Sequence, residues 1–365
     1  MEKNQIGIMT NIKAEGFKSI KEMDLELKSL NIIIGQNGAG KSNLISIFKF
    51  LYNVARKELQ GYAARHGGTD RFLHFGRKKT KQILIDIRFA GGSGYSISIV
   101  PDVNDNFVIT EESESICEEN REYGAVSYAR KTIMRESALD ESSAANAGLK
   151  EIKTYHFHDT GDDSPIKRTN DISNNIFLQV HANNLTAFLY RLKENYKTEY
   201  DEIVSAVKMA APFFQDFILE PSDDGKYISF RWKHSGFADP LNIDYLSDGT
   251  LRFIALAVLL LQPDKTMPKI IVIDEPELGL HPYALKILAE LMRKAAERGI
   301  QIIATSQSVD FVNEFDAQDI IVADREGDAS VFRRLDEKKL EQWLEEFGIG
   351  DIWSKNIIGG NPNDF

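Results

Sequence analysis

Gly35-Gln36-Asn37-Gly38-Ala39-Gly40-Lys41-Ser42 sits between an apolar run, Leu30–Ile34, and a helical pattern that runs from Asn43 to Tyr52. Strand, glycine loop and helix in that order form the context in which GxxxxGK[ST] reads as a phosphate-binding loop. The glycines keep side chains away, so successive backbone N–H groups can face phosphate oxygens. A helix starting near Lys41 adds N–H donors and a positive dipole end. Lys41 supplies a mobile charge for β- and γ-phosphates, and the Ser42 hydroxyl suits Mg²⁺. The competing reading is an ordinary glycine turn between a strand and a helix.

Outward from this loop, the chain has 365 residues, enough for two domains or one enlarged α/β domain. Apolar residues at 42% and charged residues at 27% describe a globular chain with ample core. The start, Met1 to Gln5, is polar and leads into a strand pattern, so no signal peptide is expected. The longest apolar stretch, Phe253–Leu261, is too short for a bilayer, so no membrane insertion is expected. Cys117 is the single cysteine, which excludes an intrachain disulfide framework and cysteine-cluster metal sites and suits a cytoplasmic protein. The formal net charge of −11 opposes a generally basic nucleic-acid surface but leaves room for a local basic groove.

Residues 6–34 read as strand, turn, strand and buried strand, with Lys18-Ser19-Ile20 at the first junction. Ile83–Phe89 and Tyr95–Val100, split by Gly91-Gly92-Ser93-Gly94, read as a hairpin. The acidic run Glu111, Glu112, Glu114, Glu118, Glu119 and Glu122 reads as a solvated face, or else as a docking surface for a basic partner. A helix over Arg130–Leu139 fits the spacing, and Ser142–Gly148 reads as flexible. Asn184–Glu194 and Glu199–Met209 have helical spacing, with Pro212 stopping the second. Strands follow at Phe217–Glu220 and Tyr227–Trp232. No sustained heptads occur, so long coiled-coil arms are not expected.

Ile270–Ile273 is a buried strand pattern ending in Asp274-Glu275-Pro276-Glu277. Carboxylates at the end of a parallel strand can hold Mg²⁺, the role expected of Asp274, and orient or deprotonate water, the role expected of Glu275. Taken alone the motif also reads as an ordinary acidic turn, and Lys41-Ser42 upstream favours the functional reading. Leu246-Ser247-Asp248-Gly249-Thr250 precedes the strongest helical apolar run, Leu251–Leu261. Ser247 or Asp248 there is either a plain N-cap or part of a hydroxyl, glycine and helix-terminus set that meets a terminal phosphate. Tyr155-His156-Phe157-His158-Asp159 places two histidines on one face of a strand, and without a third ligand at suitable spacing it reads as structural rather than metal-binding.

These motifs together resemble the ABC-type ATPases of the structural-maintenance and recombination-repair branch. The resemblance is closest to stand-alone bacterial ATPases related to the RecF and overcoming-lysogenization-defect proteins. Ile12–Ile20 matches the opening GFKSI element, Gly35–Ser42 the Walker A motif, and Leu246–Thr250 an LSDGT signature. Ile271–Glu275 matches Walker B and Glu277–His281 resembles the D-loop, after which Pro282 should begin a helix. The implied fold is α/β, a P-loop NTPase of ABC-type head with a mixed β-sheet and a helical or inserted subdomain. The implied segments are 1–100 with Walker A, 101–235 as an inserted lobe, 236–335 with signature, Walker B and switch, and 336–365 as a helix and tail.

The resemblance implies ATP and Mg²⁺ as cofactors and a head-to-tail homodimer across the ATP sites. Nucleotide contacts are expected from Asn37, Gly38, Ala39, Gly40, Lys41, Ser42 and Asn43, with Ser247 and Gly249 reaching the γ-phosphate of the other head. Metal contacts are expected from Ser42, Asp274 and, as the Q-loop residue, Gln179, with Gln82 the competitor. Catalysis is expected to use Lys41, Glu275 and Gln307. Gln307 stands after the strand Ile300–Thr305, where relatives carry histidine. It can donate a hydrogen bond but carries no proton near neutral pH, so slow turnover is expected, unless it is only a turn residue. Arg65, Arg71 and Arg77 are either a source of a phosphate-sensing arginine or solvated surface.

Overcoming-lysogenization-type nucleases carry a Toprim domain after the ATPase, and the sixty or so residues after Ser308 are too few for one, so no built-in nuclease is expected. Those residues read as strands at Asp319–Ala323 and Ser330–Leu335, an acidic loop at Asp324, Glu326 and Asp328, and a helix at Glu337–Phe347. Trp343, Phe347, Ile349 and Trp353 read as packing for this tail rather than a base-stacking platform. The leading expectation is ATP hydrolysis coupled to dimerisation, acting on DNA or controlling a separately encoded effector in repair or phage defence. Lys13, Lys18, Lys21 and the cluster Arg77–Lys81 are the basic residues that would form a DNA patch. The alternative is a regulatory ATPase with a protein partner, transporter-like or toxin-controlling, and no nucleic-acid contact.

Overall fold

The computed structural model describes residues 7–116, 126–140 and 143–360. Met1 to Gln5, Cys117, Glu118, Glu119, Glu122 and Ser142 lie outside the described residues. The chain forms two compact units that interleave in sequence: Met1–Thr154 with Lys269–Val272 and Gly299–Phe365, and Tyr155–Pro268 with Ile273–Arg298.

The first unit holds two six-stranded sheets. One is antiparallel, in the spatial order Ile20–Glu26, Met9–Phe17, Ile83–Phe89, Gly94–Pro101, Phe107–Ile116, Val126–Met134. The hairpin expected at its centre is present, with Ile87 opposite Tyr95. The Lys41–Ala55 helix packs on it through Phe50, whose ring lies 5.5 Å from Phe17 and 5.6 Å from Phe107, both edge-on. All three rings are fully buried, each contributing about 1.5–3 kcal/mol from area removed from water. That packing anchors the helix whose first turn carries Lys41 and Ser42.

The other sheet runs Ala329–Arg334, Ile320–Glu326, Leu30–Ile34, Gln301–Ser306, Ile270–Ile273, Ile152–Tyr155. Its strand Leu30–Ile34 is buried at every position, as expected of a parallel strand covered on both faces. Ile34 pairs with Ser306 on one side and Val322 on the other, both in parallel. The antiparallel pairing of Ile320–Glu326 with Ala329–Arg334 makes the sheet mixed.

Several expectations change here. Arg130–Leu139 is not helical, because Val126–Met134 is a strand paired with Phe107–Ile116, Glu112 opposite Arg130. Cross-strand pairing outweighs local helical spacing. The segment read as flexible instead forms the Ala144–Lys150 helix, capped by Ser143 Oγ, which accepts from the Asn146 N–H at 3.0 Å. The acidic run is not wholly a solvated face. Glu112 is buried and accepts from Tyr95 Oη at 2.7 Å, Ser137 Oγ at 2.6 Å and the Ala138 N–H at 2.7 Å. Buried Glu114 accepts from the Ala145 N–H at 2.9 Å. The acidic loop after Ala323 is shorter than expected, since Asp324 and Glu326 belong to Ile320–Glu326.

The second unit contains the helices Leu185–Asn195, Lys197–Ala210, Asp248–Leu261 and Pro282–Glu297 and a small sheet built on Phe214–Pro221 and Tyr227–His234. The Asp248–Leu261 helix is buried at each residue from Leu251 to Leu261, a run that is apolar at every position except Arg252. Among the described residues the longest helix has 16 residues, and no helix is long and apolar enough to cross a membrane. In the tail, Ile349 and Trp353 are buried on an unanticipated helix, Ile349–Ser354, while Trp343 remains 43% exposed.

Candidate functional site

In the first unit, the loop Gly35–Ser42 leaves the sheet between two parallel neighbours. Since Ile34 pairs with Ser306, Gly35 and Gln307 emerge side by side from the same sheet edge. Gln307 is exposed in the turn that follows, and Ser308 caps the next short helix by accepting from the Phe311 N–H at 3.2 Å. The loop closes on Gly40, whose φ is +109°. A Cβ there would stand 2.1 Å from Ser330 Oγ and 3.0 Å from Ser19 Oγ, so only glycine fits.

The Lys41–Ala55 helix has no side-chain N-cap and no acidic residue in its first turn. A positive helix end with neither a side-chain cap nor an acid in its own first turn suits an anionic ligand. Lys41 is 6% exposed, and its Nζ donates to the Gly35 carbonyl at 2.5 Å and the Gln36 carbonyl at 3.1 Å. Asn43 Nδ2 donates to Ser19 Oγ at 2.7 Å, and that hydroxyl shares a hydrogen bond with Ser330 Oγ at 2.7 Å. Asn37, Gly38 and Ser42 are exposed, and Ala39 is buried.

Beside the helix start lies a cavity of about 420 Å³ lined by Lys18, Asn43, His66, Gly67, Arg71 and Phe72. Burial, reinforced by the charge of Lys49, lowers the Lys18 ammonium below its ordinary value, and Lys18 Nζ donates to Ser46 Oγ at 2.6 Å. Of the three arginines considered, Arg71 reaches this cavity. Arg77 is held elsewhere by Asp70 at 2.6 Å and Asp105 at 2.5 Å. Lys13 pairs with Asp24 at 2.7 Å, so much of the expected basic patch is already engaged.

The second unit holds the remaining motifs. Ser247 caps the Asp248–Leu261 helix by accepting from the Thr250 N–H at 3.2 Å, and its hydroxyl lies 2.8 Å from Thr250 Oγ1. Gly249 packs on the backbone of the D-loop: a Cβ would stand 2.2 Å from the Gly279 carbonyl oxygen. Arg252, one turn further, is 6% exposed, and burial lowers its guanidinium below the ordinary value. Its guanidinium donates to the Phe157 carbonyl at 3.0 Å, the His158 carbonyl at 3.1 Å and the Leu278 carbonyl. Arg252 thus ties the signature helix to the D-loop and to the histidine segment, a role its sequence position did not announce.

Asp274 and Glu275 follow the Ile270–Ile273 strand, and Glu275 adopts φ +43°, a left-handed conformation uncommon for a side chain of this size. His158 Nε2 lies 2.7 Å from the Asp274 carbonyl oxygen. The strand expected to carry both histidines ends at Tyr155, and His156 stacks on His181 at 6.0 Å. Among the described residues no group of three His, Cys, Asp or Glu side chains could hold a metal ion. Gln179 sits in an asparagine-rich loop, its Nε2 donating to Asn174 Oδ1 at 3.1 Å. Gln82 is exposed. His281 caps the helix that Pro282 opens, as the D-loop match implies.

A family model described as "AAA domain, putative AbiEii toxin, Type IV TA system" matches residues 30–313. The chain is 23% identical over 375 residues to the Old nuclease of Escherichia phage P2, covering 92% of this chain and 62% of that protein. It therefore spans less than two thirds of that relative's length. Among solved structures, an Smc head bound to the C-winged helix domain of ScpA superposes with TM-score 0.62 at 16% identity, covering 92% of this chain and 99% of that one. An Smc head with an extended coiled coil, bound to the C-terminal domain of ScpA derived from Pyrococcus furiosus, gives 0.58 at 16%, covering 93% and 99%. These likenesses show the fold, an α/β P-loop NTPase of the SMC-head type.

Proposed function

The chain is an ATPase that belongs to the AAA-domain family described as putative AbiEii toxin, Type IV TA system, and on that premise we propose that it works as an ATP-driven switch whose heads pair on ATP and separate after hydrolysis. The observation that carries this reading is the uncapped, acid-free first turn of the Lys41–Ala55 helix behind a loop that only glycine can close at position 40. On this reading Asn37–Asn43 hold the triphosphate, and Lys41 exchanges its two loop carbonyls for phosphate oxygens. Ser42 and Asp274 offer a hydroxyl and a carboxylate, the hard oxygen donors that Mg²⁺ takes. The ion would neutralise charge on the β- and γ-phosphates. Glu275 accepts a proton from the attacking water, and Gln307 donates to the γ-phosphate. Gln179 serves as the Q-loop residue, and Ser247 and Gly249 complete the site of a second copy.

Two kinds of output are open to such a switch. Similarity to a phage nuclease favours action on DNA, in repair or phage defence. The family description, with its toxin system, favours a protein partner instead. Titration of fluorescent ATP with Mg²⁺ tests the shared premise. Lys41→Ala should weaken binding at least tenfold by removing a charge-assisted phosphate contact, and unchanged affinity would contradict the phosphate-loop reading. Duplex DNA titrated with and without ATP at two salt concentrations separates the outputs, since a few lysines and arginines give a steep salt dependence.

A further inference from the structure

The Lys41–Ala55 helix carries the phosphate loop at its start and a second cationic feature at its end. There, Tyr52, Ala55, Arg56, Lys57, Lys150 and Lys153 line a cavity of about 350 Å³. Four of the six are cations and none is a carboxylate, in a chain whose formal net charge is −11. The tyrosine is gripped from two sides. Lys153 Nζ donates to Tyr52 Oη at 2.9 Å and stands 4.4 Å from the ring centre. Arg56 Nη1 donates to the same oxygen at 3.2 Å, with its guanidinium carbon 5.6 Å from the ring centre. Burial alone would raise the phenol, yet the hydrogen bonds and charges of Lys153 and Arg56 hold it below its ordinary value. The phenol thus registers a positive local potential.

A structural explanation accounts for part of this charge. The Lys41–Ala55 and Ala144–Lys150 helices both end here, and each terminus presents about half a negative charge. Glu58 pairs with Arg56 at 3.0 Å, and Glu136 faces Lys57. All four cations nonetheless face one concavity, and the exposed Arg56–Glu58 pair yields readily to a better anion.

We propose that this cavity is a second phosphate-binding site, separate from the loop at Gly35–Ser42, which takes the phosphate groups of a nucleic-acid strand or of a free polyphosphate between Arg56, Lys57, Lys150 and Lys153. A 15-residue helix is about 22 Å long, so a ligand here does not touch the nucleotide loop at the other end. The Tyr52 hydroxyl, held by two cations, supplies a further donor. This site stands independently of the proposed dimer.

The test uses the full chain carrying Lys41→Ala, so that phosphate compounds do not report on the loop. Tripolyphosphate is titrated by calorimetry and a fluorescent duplex oligonucleotide by anisotropy, each against the same chain with Arg56→Gln and Lys153→Gln added. The proposal expects one probe to bind and the pair of substitutions to weaken it about tenfold or more. If the duplex is the ligand, its log–log salt slope should also fall by about 2. Loss of duplex binding names a strand backbone as the source, and loss of tripolyphosphate binding names a free anion. Binding of neither probe, or binding indifferent to the substitutions, overturns the proposal. Thermal unfolding checks that the variants are folded, and should the pair unfold, exposed Lys57→Gln takes its place with a threefold loss expected.

Discussion

Replacing Gly249 by alanine sets two physical effects of opposite sign against each other. Within a helix, Gly→Ala ordinarily stabilises by about 0.5–1 kcal/mol, because glycine loses more backbone entropy on folding. At Gly249, however, the added Cβ would lie 2.2 Å from the Gly279 carbonyl oxygen, where ordinary contact begins at 3.4 Å. The D-loop backbone must retreat by about 1.2 Å, and overpacking of this kind costs about 1–3 kcal/mol. Steric cost should prevail, leaving a net destabilisation of about 1 kcal/mol and, for a chain of 365 residues, a melting temperature lower by about 1–2 °C. If Gly249 completes the ATP site of a second copy as proposed, hydrolysis should suffer more, since a misplacement of about 1 Å in such a site costs about a hundredfold. Differential scanning fluorimetry and phosphate release at saturating Mg·ATP read the two effects. A higher melting temperature with an unchanged rate would refute the reasoning, because that is what helix propensity alone produces.

Glu275→Gln should keep ATP affinity and reduce phosphate release by at least a hundredfold, because the amide accepts no proton from water; single-turnover hydrolysis beside a binding titration checks both halves. Arg252→Met removes a guanidinium that serves three carbonyls while keeping most of the apolar stem. It should destabilise by about 3 kcal/mol or more, measured by urea unfolding, and a loss under 1 kcal/mol would show that the three bonds add little.

The local conformation of the candidate site's motifs was legible because it depends on residue type within a few positions of the chain. The glycine spacing of Gly35–Ser42, the apolar strand Leu30–Ile34 and the proline opening the Pro282–Glu297 helix all carry their own local signals. The strands Phe107–Ile116 and Val126–Met134 were not legible, because their conformation is decided by partners distant in sequence. Glu112 is buried only because Tyr95 and Ser137 meet it, and Lys131 lies opposite Glu111 only through sheet register. The role of Arg252 is not legible for a similar reason: its three carbonyl partners lie 26 to 95 residues away. So did the basic cavity, where Lys150 and Lys153 join Arg56 and Lys57 across about a hundred residues of chain. The basic cluster that is contiguous in sequence proved partly spent on internal pairs such as Arg77 with Asp70.

The central claim, that the signature of one head completes the ATP site of another, is tested most directly by mixing two inactive chains. In this fold Ser247 is an N-cap, so Ser247→Arg should cost about 0.5–2 kcal/mol of stability and leave each chain able to bind ATP at its own Lys41. Lys41→Ala chains keep an intact signature. A mixed dimer has one site carrying both lesions and one carrying neither, so ATPase activity absent from each parent should partly return, up to about half the wild-type rate per mixed dimer if the two sites turn over independently. Folded parents that form mixed dimers yet restore no activity would contradict the shared-site account, as would a Ser247→Arg chain as active as the wild type.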